Sequence, residues 1–164
     1  MIEKGMILHF TPSHYSNGVK NEELKKRFML VLDVDDKNNT LKLVNISKVQ
    51  DKPNCLTYKS SVLIKNHQPL PLLSFAKLDD NYIVENFDGI EKFLYDNGTK
   101  LDEQEFKNIV NKHDDYLFDN RFNLITMTKD EFLKTNYLSQ SSNYTIADYF
   151  KQNNLEGSYG SFKI

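Results

Sequence analysis

The stretch from Arg27 to Ser47 constrains the fold more than any other part of the chain. Arg27 to Val34 (RFMLVLDV) is a nearly continuous apolar run, and Asp35 to Asn39 (DDKNN) is a cluster of turn formers. Thr40 to Ser47 (TLKLVNIS) then sets Leu41, Leu43 and, after Val44, Ile46 among polar neighbours. The continuous run reads as a buried strand and the alternating one as a half-buried strand. Joined by so short a polar connection, the two fold back into an antiparallel hairpin. The turn holds neither Asn-Gly nor Asp-Gly, so its type is open.

Further strands follow from the same pattern. Met6 to Phe10 is short and apolar, and Thr57 to Ile64 supplies a fourth strand with Tyr58, Val62 and Ile64 facing inward. Pro69 and Pro71 impose an extended connection, because each restricts itself and the residue before it. Ser74 to Lys77 and Asn81 to Glu85 read as one or two short strands. Five or six strands in under ninety residues suit a small closed or partly closed barrel, whose closure protects strand edges. From about Phe87 the period becomes helical. Ile90, Phe93 and Leu94 share a face that stops at Asn97-Gly98. Asp102 with Glu105 caps a second helix with Phe106, Ile109, Val110 and Tyr116 on its apolar side, and Thr128 with Glu131 repeats the signature ahead of Phe132 and Leu133. A last short helix is expected over Ile146 to Lys151, before a Gly/Ser-containing tail. The expected fold class is therefore α+β: a small SH3-like antiparallel β-barrel with a helical C-terminal extension. Residues 1–88 form the barrel part and residues 89–164 the helices docked on it.

Composition narrows the function classes. Of 164 residues, 39% are hydrophobic and 27% charged, and twenty are Phe or Tyr, enough to bury a core. Net charge is −2, so no overall basic balance announces nucleic acid, although a local basic patch is compatible with it. Only Arg27 and Arg121 are arginines, against nineteen lysines. In such a background an arginine stands out, since its planar fork binds phosphate as lysine cannot. A single cysteine, Cys55, excludes an intramolecular disulfide and a cysteine-rich zinc site, and a reducing compartment is the simplest reading. Residues 1–10 do not resemble a signal peptide, and no segment approaches about 20 apolar residues. A cytoplasmic protein without a membrane partner is expected.

No phosphate-binding glycine loop, nucleophile elbow or helically spaced histidine pair is present, and neither a metal nor another cofactor is expected. The segment Thr11 to Lys26 (TPSHYSNGVKNEELKK) is longer than a hairpin needs and delivers Lys25, Lys26 and Arg27 to the mouth of a buried strand. Taken alone, that run is most simply a solvated basic cluster. Ser47 ends the other hairpin strand and Lys48 follows; its hydroxyl suits a phosphate oxygen or a turn backbone equally. Antiparallel pairing puts the start of one strand beside the end of the other, so Arg27 and Ser47 meet on one rim. Lys26 and Lys48 then flank them. Among the histidines, His14 in the polar loop is the preferred candidate for proton transfer, His9 the second, and His67 and His113 are read as structural or exposed.

In this order the features resemble the MazF/PemK (Kid-type) toxin ribonucleases, and more distantly the ToxN group. Lys4-Gly5-Met6-Ile7 is similar to the family's opening strand. Lys26-Arg27-Phe28 with Met29 to Leu32 is similar to its Arg-Pro and apolar strand, and Asn45-Ile46-Ser47 to its Pro-Ile-Thr. Val62 to Asp79 resembles the later strand and Asp-Ser segment. Phe28 stands for the usual proline, Ser47 for threonine, and Lys20 to Lys26 for a glycine-rich approach. The likeness spans about residues 4 to 92. It implies metal-independent endoribonuclease activity on single-stranded RNA, by 2′-hydroxyl attack giving a 2′,3′-cyclic phosphate. Arg27 and Ser47 would be catalytic, and His14, Lys26 and Lys48 would bind substrate. An antitoxin, protein or RNA, and a homodimer are the implied partners. The alternatives are a non-catalytic nucleic-acid- or protein-binding module of the same fold, or a phage or plasmid interaction protein.

Overall fold

The computed structural model describes residues 1–141. The anticipated helix over Ile146 to Lys151 and the tail after it lie outside the described residues. Six strands form one sheet: β1 (Ile7–Phe10), β2 (Arg27–Asp35), β3 (Thr40–Lys48), β4 (Ser61–Ile64), β5 (Ser74–Glu85) and β6 (Asn123–Met127). Two helices follow the fifth strand, α1 (Glu103–Asp119) and α2 (Lys129–Ser141), with β6 between them. The fold is thus α+β.

The hairpin is as its sequence demands. β2 and β3 pair antiparallel from Phe28 opposite Ile46 to Asp35 opposite Thr40, with one irregularity between Val31 and Asp33. Met29, Leu30, Val31 and Leu32 are all buried, so both faces of β2 are covered. On one face Leu8, Phe10, Met29, Val31, Leu41, Leu43, Tyr82 and Val84 pack with Phe87, Ile90, Met127 and Phe132. On the other, Ile7, Leu30, Leu32, Val44, Ile46, Val62 and Ala76 pack with Leu101 and Ile109. A strand sandwiched between two apolar layers reads as a continuous apolar run, the pattern of Arg27 to Val34.

The strand order is β1-β2-β3-β5-β4, with β6 also on β5, and the sheet is open; a closed barrel is not present among the described ladders. The anticipated closure gives way to a different protection of the edges. The outer side of β5 is shared, β4 pairing with Ser74 to Lys77 and β6, in parallel, with Asp80 to Val84. The outer side of β1 meets the segment after β5 through Leu8 and Leu94. With both sheet faces buried under later segments, closure is not needed to hide the core.

Other differences are local. Ser74 to Glu85 is one twelve-residue strand, and its register against β3 jumps from Ala76 opposite Ile46 to Asn81 opposite Val44. Residues 77–80 therefore bulge out opposite Asn45. The fourth strand starts at Ser61 rather than Thr57, after a 3-10 turn over Pro53–Thr57, and Tyr58 is exposed rather than inward. Proline at the head of that turn supplies the fixed φ that favours it. Ile90 to Gly98 forms two 3-10 turns instead of a helix, since Asp96 and Asn97 adopt left-handed backbone. β6 has no counterpart in the expectation. Its sequence sets apolar Leu124 beside Ile125 and so lacks the apolar–polar alternation of a half-buried strand, although burial alternates from Leu124 to Met127.

The cap signatures hold. Asp102 accepts from the backbone N–H groups of Gln104 and Glu105 at the start of α1, and Thr128 Oγ1 accepts from Glu131 N–H at the start of α2. Among the described residues no helix is long and apolar enough to cross a membrane.

Candidate nucleic-acid interface

The rim where β2 begins and β3 ends opens into a groove of about 690 Å³. Arg27 lies one step beyond the Phe28–Ile46 pair, so the antiparallel register brings Ser47 opposite it, and both line the groove. Lys26 and Lys48 flank them, Lys25 and Lys52 extend the cationic lining, and Asp51 is the acid of the set. His9 of β1 enters from the side. Lys52 also feels a cation from outside the groove, Lys77. The Lys52 ammonium is depressed below the usual lysine range by Lys77, by burial and by Arg27.

His9 is packed against two aromatic rings. Its ring stacks on Phe28 at 4.2 Å between centroids and 10° between planes, with Tyr95 edge-on at 6.1 Å. Burial, then Lys26, then Lys48 lower its pKa below the ordinary histidine value. The imidazole is accordingly neutral at pH 7 and able to accept a proton. His14 is elsewhere. It sits in the loop between β1 and β2, bridged to Lys20 and within 3.2 Å of Ser13 Oγ, and does not line the groove. The structure therefore gathers Arg27, Ser47, Lys26 and Lys48 and replaces His14 with His9. His67 instead contacts the Leu70 carbonyl, and His113 is buried against Asn81.

The loop that delivers the cations is organised by Asn21, a buried residue for which the sequence carries no signal. Its Nδ2 donates to the carbonyls of Pro12 and Lys25, and its Oδ1 accepts from Lys25 N–H and from Tyr15 OH. Tyr15, so fixed, lies under the Arg27 guanidinium at 4.9 Å from ring centroid to Cζ. The loop is also pinned to β5: Ser16 N–H donates to Tyr82 OH, and Ser16 Oγ donates to Asp80. Arg27 Nε is shut off from solvent without a hydrogen-bond partner among the described residues.

Ser47 is less available than the pattern implies. It is 9% exposed, and its hydroxyl donates to Asn45 Oδ1 at 3.1 Å, while Asn45 Nδ2 donates to the Phe28 carbonyl. The chemistry at hand is anion binding by a cluster of cations beside one neutral imidazole and one partly covered hydroxyl. No protein-family model matches the chain, and no curated protein matches it.

Proposed function

We propose that the chain is a toxin-like endoribonuclease that binds single-stranded RNA along this groove and cleaves it without a metal. The observation that carries the reading is the meeting of Arg27, Lys26 and Lys48 with a neutral, ring-stacked His9 on one rim. Cleavage needs a base for the 2′-hydroxyl, positive charge on the phosphoryl oxygens and a proton for the leaving 5′-oxygen. His9 takes the proton as the 2′-oxygen bonds to phosphorus. Arg27 stabilises the charge that builds on the phosphoryl oxygens. A neighbouring ammonium, Lys26 or Lys48, supplies a proton as the P–O5′ bond breaks. The products are a 2′,3′-cyclic phosphate and a free 5′-hydroxyl. Ser47 donates to a phosphoryl oxygen once its hydroxyl turns from Asn45. This reading needs the rim and not a closed SH3-like barrel. An antitoxin and a homodimer belong to it as proposals carried by the resemblance to the MazF/PemK toxins, and action in the cytoplasm as a proposal carried by the single cysteine, Cys55.

The test is incubation of purified protein with mixed-sequence single-stranded RNA in EDTA, beside Arg27→Ala. Cyclic-phosphate and 5′-hydroxyl ends that vanish in the variant are expected. Binding without scission would favour the second reading, a nucleic-acid-binding module of the same fold. The covered, Asn45-bonded Ser47 hydroxyl is the observation on its side.

A further inference from the structure

A second cavity of about 260 Å³ adjoins the groove, and Arg27 and Lys52 line both. Tyr15, Asn17, Asp79 and Asp80 complete the part of its wall that matters here. The two carboxylates come from the β5 bulge at residues 77–80 and differ in their partners. Asp80 accepts from Ser16 Oγ and Tyr82 OH and faces Lys77 Nζ at 3.5 Å, so its lone pairs are committed. Asp79 has an oxygen, Oδ1, closed off from solvent and without a donor among the described residues. Arg27 Nε is conversely a closed-off donor without an acceptor among the described residues. A buried polar atom left unpaired in a folded protein costs stability and calls for an explanation.

The geometry points to a nucleobase subsite that selects guanine, with Asp79 as the residue that reads it. This rests on the RNA-cleaving reading of the neighbouring groove and names the base that its substrate presents there. A carboxylate accepts hydrogen bonds only, and two together when both its oxygens are used. Guanine alone among the four bases carries two adjacent donors on its Watson–Crick edge, N1–H and N2–H. Adenine and cytosine set a ring-nitrogen lone pair beside their amino group, and uracil flanks N3–H with two carbonyls, so each brings lone pairs against the carboxylate. Guanine O6 is an acceptor, matched by the Lys52 ammonium on the same wall. Asp79 lines the cavity, and reading the base requires its carboxylate to turn about its last torsion so that the closed-off Oδ1 also faces it. Recognition of splayed bases through their edges, next to a phosphate track, is the usual way single-stranded RNA is read.

The experiment uses the full chain and four single-stranded RNA oligonucleotides that are identical except for one central G, A, C or U, plus a fifth with inosine, which lacks the N2 amino group. Affinity is measured by fluorescence anisotropy and cut positions are mapped by end-labelling. The G oligonucleotide is expected to bind roughly tenfold more tightly than the others. Inosine should lose most of that advantage, and in Asp79→Asn the G-to-A affinity ratio should fall towards one with thermal melting retained. RNA bound or cut equally at all four bases would overturn the guanine subsite and leave the groove reading standing. No binding of any oligonucleotide would overturn both. The inosine arm is independent of any variant, so a poorly folding Asp79→Asn does not blunt the test.

Discussion

Arg27 is the residue on which the proposed chemistry turns, and its surroundings permit a clean test. Because Nε has no partner, removing the guanidinium strands no buried acceptor within the described residues. Arg27→Lys keeps a charge but loses the planar fork, and a drop in cleavage rate of about 10²-fold is expected, with melting shifted by less than about 1 kcal/mol. His9 gives a second test. Its pKa is lowered, so the base form persists below pH 6.5 and is lost only as pH falls further. The cleavage rate should hold from pH 7 to below 6.5 and then decline, and His9→Gln should be slow and lack that acid limb. His113 acts on stability instead. Burial, followed by Lys42, pushes it down to about 4, with Asp114 opposing. Between the unfolded value near 6.5 and about 4 the unfolded chain binds more protons. Stability is therefore full above pH 6.5 and lost as pH falls through that window, by on the order of 3 kcal/mol at most. Urea melts of wild type and His113→Gln across pH 7 to 4 should show a steeper loss in the wild type.

At the scale of elements, side-chain hydrogen bonds hold the irregular pieces in place. The β5 bulge that carries Asp79 and Asp80 is braced by Asn81, whose Nδ2 donates to the Leu78 carbonyl and whose Oδ1 faces His113 Nε2 of α1. Since Asn81 Oδ1 accepts, the proton of the neutral imidazole resides on Nε2. α2 does a similar service for the loop that bears the cations. Asn136 Oδ1 accepts from Thr11 N–H and Asn136 Nδ2 donates to the Thr11 carbonyl, where the chain leaves β1. Asn136→Ala removes both of these side-chain bonds to the Thr11 backbone. A loss of about 1–3 kcal/mol in unfolding free energy is expected, taking about 0.5–1.5 kcal/mol for each bond. Chemical denaturation measures it. The helix is itself seated by Phe132, whose ring meets Phe10 at 4.5 Å, Phe93 at 4.8 Å and Phe87 at 5.3 Å. Truncation to alanine there should cost about 3–5 kcal/mol.

Across the whole molecule the net charge of −2 conceals a local excess of positive charge. Lys26, Arg27, Lys48 and Lys52 face one groove, whereas Lys25 is paired with Glu23 at 3.0 Å. With Lys52 given to the base, about three phosphate contacts from Lys26, Arg27 and Lys48 imply that log K for single-stranded RNA falls with log[salt] with a slope of about −2. Titration in 50 to 200 mM salt measures it. A slope near zero would mean that the groove does not engage the phosphate backbone.

The hairpin, the two capped helices and the meeting of Arg27 with Ser47 were legible in the residues, because each depends on local pattern. Continuous or alternating apolarity sets strand type, a cap residue with a carboxylate three positions on marks a helix start, and antiparallel pairing carries one strand's start to the other's end. The openness of the sheet, the parallel β6 and the choice of His9 over His14 were not legible. β6 is short and mostly exposed, so it is a strand only because β5 offers an unpaired edge after β4 ends. His9 reaches the groove through stacking on Phe28, a contact between strands that no spacing within one strand encodes. Nor does sequence distinguish Asp79 from Asp80. Local periodicity determined the elements; partner geometry between distant segments decided which edges were covered, which histidine faced the rim and which carboxylate kept an oxygen without a donor among the described residues.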